Sequence, residues 1–122
     1  DALRKANELL RLAVVVRDAH DAITVQDLDG RILAWNPGAE RMYGWSEAEA
    51  LQMNVRDRIP QELQGEVQAI EYRLIEKETL APFRTRALTK SGAVVTIWMT
   101  VTALLNEAGH VYAVATTEKL DE

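Results

Sequence analysis

The apolar residues of this chain change period along its length. Leu3, Ala6, Leu10 and Ala13 recur at alternating spacings of three and four, and Leu9 and Val16 lie seven apart, which predicts an amphipathic helix over Ala2–Ala19. Strict alternation starts at Ala22–Asp27 and predicts a strand with Ile23 and Val25 on its core face. Asp29-Gly30 marks a tight hairpin, and Arg31–Trp35 is its partner strand. Trp35 has the opposite parity from Ile32 and Ala34, which places it on the outer face of the sheet.

Helical signals follow. Asn36 caps well, Pro37 suits a first turn, and Gly44 ends that short helix. Ser46 and Glu49 form a capping box for another. After Pro60 a longer helix is expected over Gln61–Glu78, its apolar face carrying Leu63, Val67, Ile70 and Leu74. The last third reads as three strands, Phe83–Leu88, Val94–Leu104 and Val111–Thr117, joined by turns at Ser91-Gly92 and Ala108-Gly109. Thr117–Leu120 reads as an exit segment. Two strands, a helical block and three strands indicate an α+β fold: an antiparallel sheet with helices crossing one face. The expected division is a flanking helix at 1–19, a core at 20–117 and an exit at 118–122.

Composition narrows the function classes. The chain has 122 residues, 48% of them hydrophobic, enough for a core without staples. Its formal net charge of −5 argues against a nucleic-acid partner or an anionic membrane surface. The longest apolar run, Leu12–Val16, is far too short to span a bilayer. There is no cysteine, which removes disulfides, thiolate nucleophiles and cysteinyl metal sites and fits a cytoplasmic setting. The first residue is Asp1, so the sequence is expected to be a piece of a longer protein.

The run from Asp27 to Trp45 contains an acidic residue, the Asp29-Gly30 turn, a short strand, the Asn36-to-Glu40 helix start and Gly44-Trp45. It resembles the opening of a PAS domain. Thr89-Lys90-Ser91-Gly92 is similar to the K-D-G turn of that family, with Ser91 in place of Asp, and Asn106–Gly109 resembles its last hairpin. More narrowly, the sequence resembles PAS modules attached to bacterial chemotaxis methylesterase–methyltransferase fusions or to sensor histidine kinases. The resemblance implies a five-stranded antiparallel sheet, helices on one face, an N-terminal flanking helix and a non-catalytic role in sensing or dimerisation, with an effector domain linked beyond this segment.

Candidate chemistry can be weighed residue by residue. Parity assembles one apolar ligand-binding space from Ile23, Val25, Ile32, Met42, Val55, Val67, Ile70, Ile97, Met99, Val101, Val114 and Thr116. Asn54-Val55-Arg56 resembles the N-C-R of flavin photoreceptor relatives, but Val55 has no nucleophile for the adduct. The inward positions Ile97, Met99 and Thr116 offer a flavin edge few donors or acceptors. Haem-binding relatives ligate through His, often from the long helix; here Gln61–Glu78 has none, leaving only His20 and His110. Asp18, His20 and Asp21 lie close in sequence and read as a solvated strand approach rather than a metal site. No cofactor is therefore expected, though an unidentified small apolar ligand fits.

Arg73, Arg84 and Arg86 read as surface ion-pairing residues, and Trp45 as a loop-packing residue. Ser46, Ser91 and the histidines show no nucleophile–base spacing, so no enzyme is expected. The seam of Leu3, Ala6, Leu10 and Ala13, with Trp98 on the outer sheet face, predicts a homodimer interface. A ligand-free dimerisation block and a small α+β binding protein or enzyme stay open as alternatives.

Overall fold

A computed structural model describes residues 20–66, 69–70 and 82–121. Among them the chain forms β1 (Ala22–Asp27), β2 (Ile32–Trp35), α1 (Pro37–Tyr43), α2 (Glu47–Ala50), two 3-10 turns (Val55–Arg58 and Gln61–Leu63), β3 (Phe83–Leu88), β4 (Val94–Leu105) and β5 (Val111–Leu120). The strands make one antiparallel sheet in the order β2-β1-β5-β4-β3. This is the α+β architecture that the pattern of the sequence implies. The predicted helix at Ala2–Ala19, with Leu3, Ala6, Leu10 and Ala13, lies outside the described residues, as do Val67 and most of the predicted long helix. The described start of that helix is the tight turn Gln61–Leu63.

Local chemistry explains the elements. The hairpin between β1 and β2 has Leu28, Asp29 and Gly30 at its tip, and the Asp27 carboxylate accepts the backbone N–H of both Asp29 and Arg31 at 2.9 Å. Gly30 sits at φ 89°, where a side chain is strained, and a Cβ there would meet Asn54 Oδ1 at 2.6 Å. Asn36 caps α1 by accepting from Ala39 N–H at 2.9 Å. The Ser46–Glu49 capping box is complete at the start of α2.

Gly38 marks a close approach that the sequence pattern did not single out. A Cβ built on it would lie 2.2 Å from the Asp21 carbonyl oxygen, because the first turn of α1 presses on the chain entering β1. Gly38→Ala is expected to cost about 1–3 kcal/mol, read as a lower urea midpoint with unchanged slope.

Two expectations about strand faces are corrected. The inner face of β1 carries Ala22, Thr24 and Gln26, all buried, while Ile23 and Val25 are only half-buried on the opposite face. Counting apolar residues picked the wrong side because the inner positions are small or polar. Trp35 is 2% exposed and lies in the core with Ile32, not on the outer face. A β-bulge is the cause: Thr24 pairs with Trp35 and Gln26 with Ile32, so β2 carries one residue more than β1 between those pairs. The bulge turns Ile32 and Trp35 to the same side and leaves Leu33 exposed.

β5 also runs further than expected. It continues through Leu120, with Ala22 opposite Glu118 and Met99 opposite Glu118 on its two sides. Glu118, expected in an exit segment, is 0% exposed. Trp98 does face outward and is half-exposed; its indole N–H donates to Asp121 at 3.1 Å, with the Arg84 guanidinium 6.0 Å from the ring centre. Arg84 pairs with Asp121 at 2.6 Å and Arg86 with Glu62 at 3.4 Å, which is the surface ion pairing read from the sequence.

Candidate functional site

The inner face of the sheet and the 3-10 turns enclose a cavity of about 80 Å³. Its sheet wall comprises Met99, Val101, Val114 and Thr116, with Gln26 from β1 and Phe83, Thr85 and Ala87 from the edge strand. Val55, Arg58, Ile59, Leu63 and Ile70 cover it, and Glu66 and Arg86, both exposed, also border it. Of the residues that parity assembled, the cavity brings together Val55, Ile70, Met99, Val101, Val114 and Thr116. Ile32, Met42 and Ile97 belong instead to a solid core cluster with Trp35 and Tyr43, so they are packed rather than lining. Ile23 and Val25 are on the far side of the sheet.

Asn54 explains how the cover is held. Its carboxamide donates to the Asp29 carbonyl at 2.9 Å and accepts from Arg56 N–H at 3.1 Å, and Asp57 completes a capping box by accepting from Asn54 N–H. Val55 N–H donates to the Gly30 carbonyl at 2.7 Å. The turn after the hairpin is thus tied to the hairpin itself, and this places Val55 and Arg58 over the sheet.

Beside the cavity lies a buried polar cluster that sequence reasoning missed. Arg58 (2% exposed) donates from Nη1 and Nη2 to the two oxygens of Glu118, at 2.8 and 2.6 Å. The Tyr43 hydroxyl donates to Oε1 of Glu118 and the Thr116 hydroxyl to Oε2. All four acceptor sites of the carboxylate are therefore used. Thr24 joins through Thr116 at 2.6 Å. The guanidinium packs over Tyr43 and Trp35, 4.9 and 5.4 Å from the ring centres. The Trp35 indole N–H donates to the Trp45 carbonyl at 2.9 Å, so Trp45 is indeed a loop-packing residue.

Burial alone would push the Glu118 carboxyl up. The Arg58 charge, with hydrogen bonds from Arg58, Thr116 and Tyr43, overrides this and holds it below the usual carboxylate range. Burial, then the adjacent Glu118 charge, pushes the Tyr43 phenol well above its ordinary value. Arg58 stays charged: desolvation opposes this, but the Glu118 carboxylate outweighs it.

The comparisons with known proteins agree with this architecture. The family model described as PAS fold matches residues 10–118. The chain belongs to the PAS family. Among solved structures, this PAS domain is similar to the PAS domain of a protein from Colwellia psychrerythraea, with TM-score 0.83 and 23% identity over 93% of this chain and 96% of that one. It is also similar to a PAS domain from a two-component sensor histidine kinase (TM-score 0.74, 18% identity, 96% and 99% coverage). An RNA-binding light-oxygen-voltage receptor matches with TM-score 0.78 and 25% identity; 89% of this chain covers 32% of that receptor, about a third of its length. No curated protein matches the chain.

The residues of this PAS domain do not fit a flavin. Val55 lines the cavity and has no nucleophile to offer a flavin. A cavity of roughly 150 Å³ holds the single ring of benzene, and about 80 Å³ falls well short of a three-ring heterocycle. Among the described residues no three His, Asp or Glu side chains come together as a metal site. Nor is any helix among them long and apolar enough to cross a membrane.

Proposed function

We propose that this PAS domain is a non-catalytic, cytoplasmic sensory module of a bacterial signalling protein, taking a small ligand in the cavity and regulating an effector attached beyond this segment. One observation carries the reading. Arg58 both borders the cavity and holds Glu118, near the end of the last strand. A ligand that moves the Val55–Arg58 turn must also strain or relax its bond to β5, and β5 leads out of the domain. Direct test of the cavity comes from methyl NMR under xenon pressure. The Met99, Val101 and Val114 methyls should shift while those of exposed Leu28 and Val94 do not. Uniformly small shifts would show a filled core and favour a ligand-free dimerisation block.

The exposed Trp98 supports a homodimer through the outer sheet face and the seam of Leu3, Ala6, Leu10 and Ala13. Leu10→Glu is then expected to weaken the dimer in sedimentation without lowering the melting temperature of the core. A monomer at high micromolar concentration, unaltered by the substitution, would overturn this assembly for the segment.

A further inference from the structure

The ligand class can be read from Gln26, and this inference rests on the cavity reading above. Gln26 projects from the inner face of β1, is 8% exposed and lines the cavity. The threonines beside it have uses for their polar atoms: Thr24 bonds to Thr116, and Thr116 donates to Glu118. The Gln26 carboxamide forms no hydrogen bond with any described residue. Its amide oxygen and nitrogen are not sealed off from accessible space, so a group entering the cavity can bond to them. In this it differs from the Nε of Arg58, which is buried out of reach of solvent and has no hydrogen-bond partner.

We infer that Gln26 reads the polar end of the ligand. A carboxamide presents one donor and one acceptor side by side, so its complement is a group with the same pair in reverse: a primary amide, a lactam edge or a protonated carboxylic acid. The remainder of the ligand is apolar, because Met99, Val101 and Val114 meet it. Its polar end at Gln26 is uncharged, because Arg58, the buried cation beside it among the described residues, is already neutralised by Glu118, and Arg86 and Glu66 border the cavity only from the exposed side. The ligand is also small, in keeping with a cavity of about 80 Å³.

Propionamide, 2-butanone and xenon test this on the purified chain by NMR titration. Propionamide and 2-butanone have nearly the same shape, but only the amide supplies a donor beside its acceptor. Wild type should bind propionamide at least about tenfold more tightly than 2-butanone, the factor expected for one well-made buried hydrogen bond. Gln26→Met, close in volume, should abolish that preference while keeping the xenon response; Gln26→Leu serves the same purpose if the Met variant folds poorly. Equal binding of the two probes by wild type, or a preference that survives in both variants, would overturn the role of Gln26. A xenon response without any binding of propionamide would overturn the ligand class while leaving the cavity intact. Absence of every response, xenon included, would overturn the cavity reading itself.

Discussion

Arg58→Met is expected to destabilise the domain by roughly 3–5 kcal/mol, because it leaves the fully buried Glu118 carboxylate without its counter-charge. That is a large share of the ~5–15 kcal/mol typical of a domain. Adding Glu118→Leu should recover much of the loss, since an apolar pair no longer buries an unpaired charge. The two variants and their double form a cycle in urea denaturation, and simple additivity would mean that the pair is not coupled.

The pH dependence provides a second readout with a definite sign. In the wild type the folded Glu118 pKa is lowered, so its contribution is full above the ordinary glutamate value of about 4.3 and is lost as the pH falls through the depressed folded value. Tyr43 is raised, so its contribution is full below about pH 10 and is lost as the pH climbs from there towards the folded value. Stability should be flat between these limits and fall on both sides. In Arg58→Met burial acts on Glu118 without the opposing guanidinium, leaving only the Tyr43 and Thr116 hydroxyls to lower its pKa, so this variant should gain stability on mild acidification, where the wild type does not. A denaturation series from pH 4 to 8, roughly spanning the glutamate range, distinguishes the two.

Asn36→Ala is the other large effect, expected at roughly 2–4 kcal/mol. Cap removal by itself costs about 0.5–2 kcal/mol. Asn36 does more than cap: its carboxamide oxygen also accepts from Ile23 N–H at 2.8 Å, and its nitrogen donates to the Asp21 carbonyl at 2.9 Å. Its backbone N–H donates to the Ile23 carbonyl at 3.2 Å, so the side chain continues the β1–β2 ladder one step past β2. Alanine leaves partly buried backbone groups unpaired, which adds about 1–3 kcal/mol. Asn36→Asp, which keeps the oxygen and loses the donor, should fall between alanine and wild type in thermal denaturation.

Turns and caps were legible in the sequence because their chemistry is local. Asp29-Gly30, Asn36, Gly44 and the Ser46–Glu49 box each act within a few residues, and each stands where its residue type requires. Met99 and Val101 in the apolar wall were legible too, because β4 alternates regularly around those positions. β1 was not, since Thr24 and Gln26 are buried for the bonds and the space they face rather than for their hydrophobicity. Trp35 was misplaced by a bulge, which no count of parity detects. Arg58 and Glu118 are 60 residues apart, and each stands in a locally polar stretch that reads as surface. Only the pairing of the two makes burial tolerable, and nothing within a short window records that. The hold of Asn54 on the hairpin was not legible, because it depends on a contact 25 residues away.

The position of β5 between β1 and β4 brings the two ends of the sheet's path together. Ala22, where the chain enters the sheet, lies directly across from Glu118, where it is about to leave, and the two strands run in opposite directions. Paired Cα atoms of this kind are about 5 Å apart. Entry and departure therefore share one side of the sheet, almost at the same point, as in domains that tolerate splicing into a host loop. The same adjacency makes the sheet a good subject for circular permutation: a short linker can join the chain just before Ala22 to the chain just after Leu120, and new ends can be opened in the exposed Asn106–His110 turn, away from Arg58, Glu118 and the cavity.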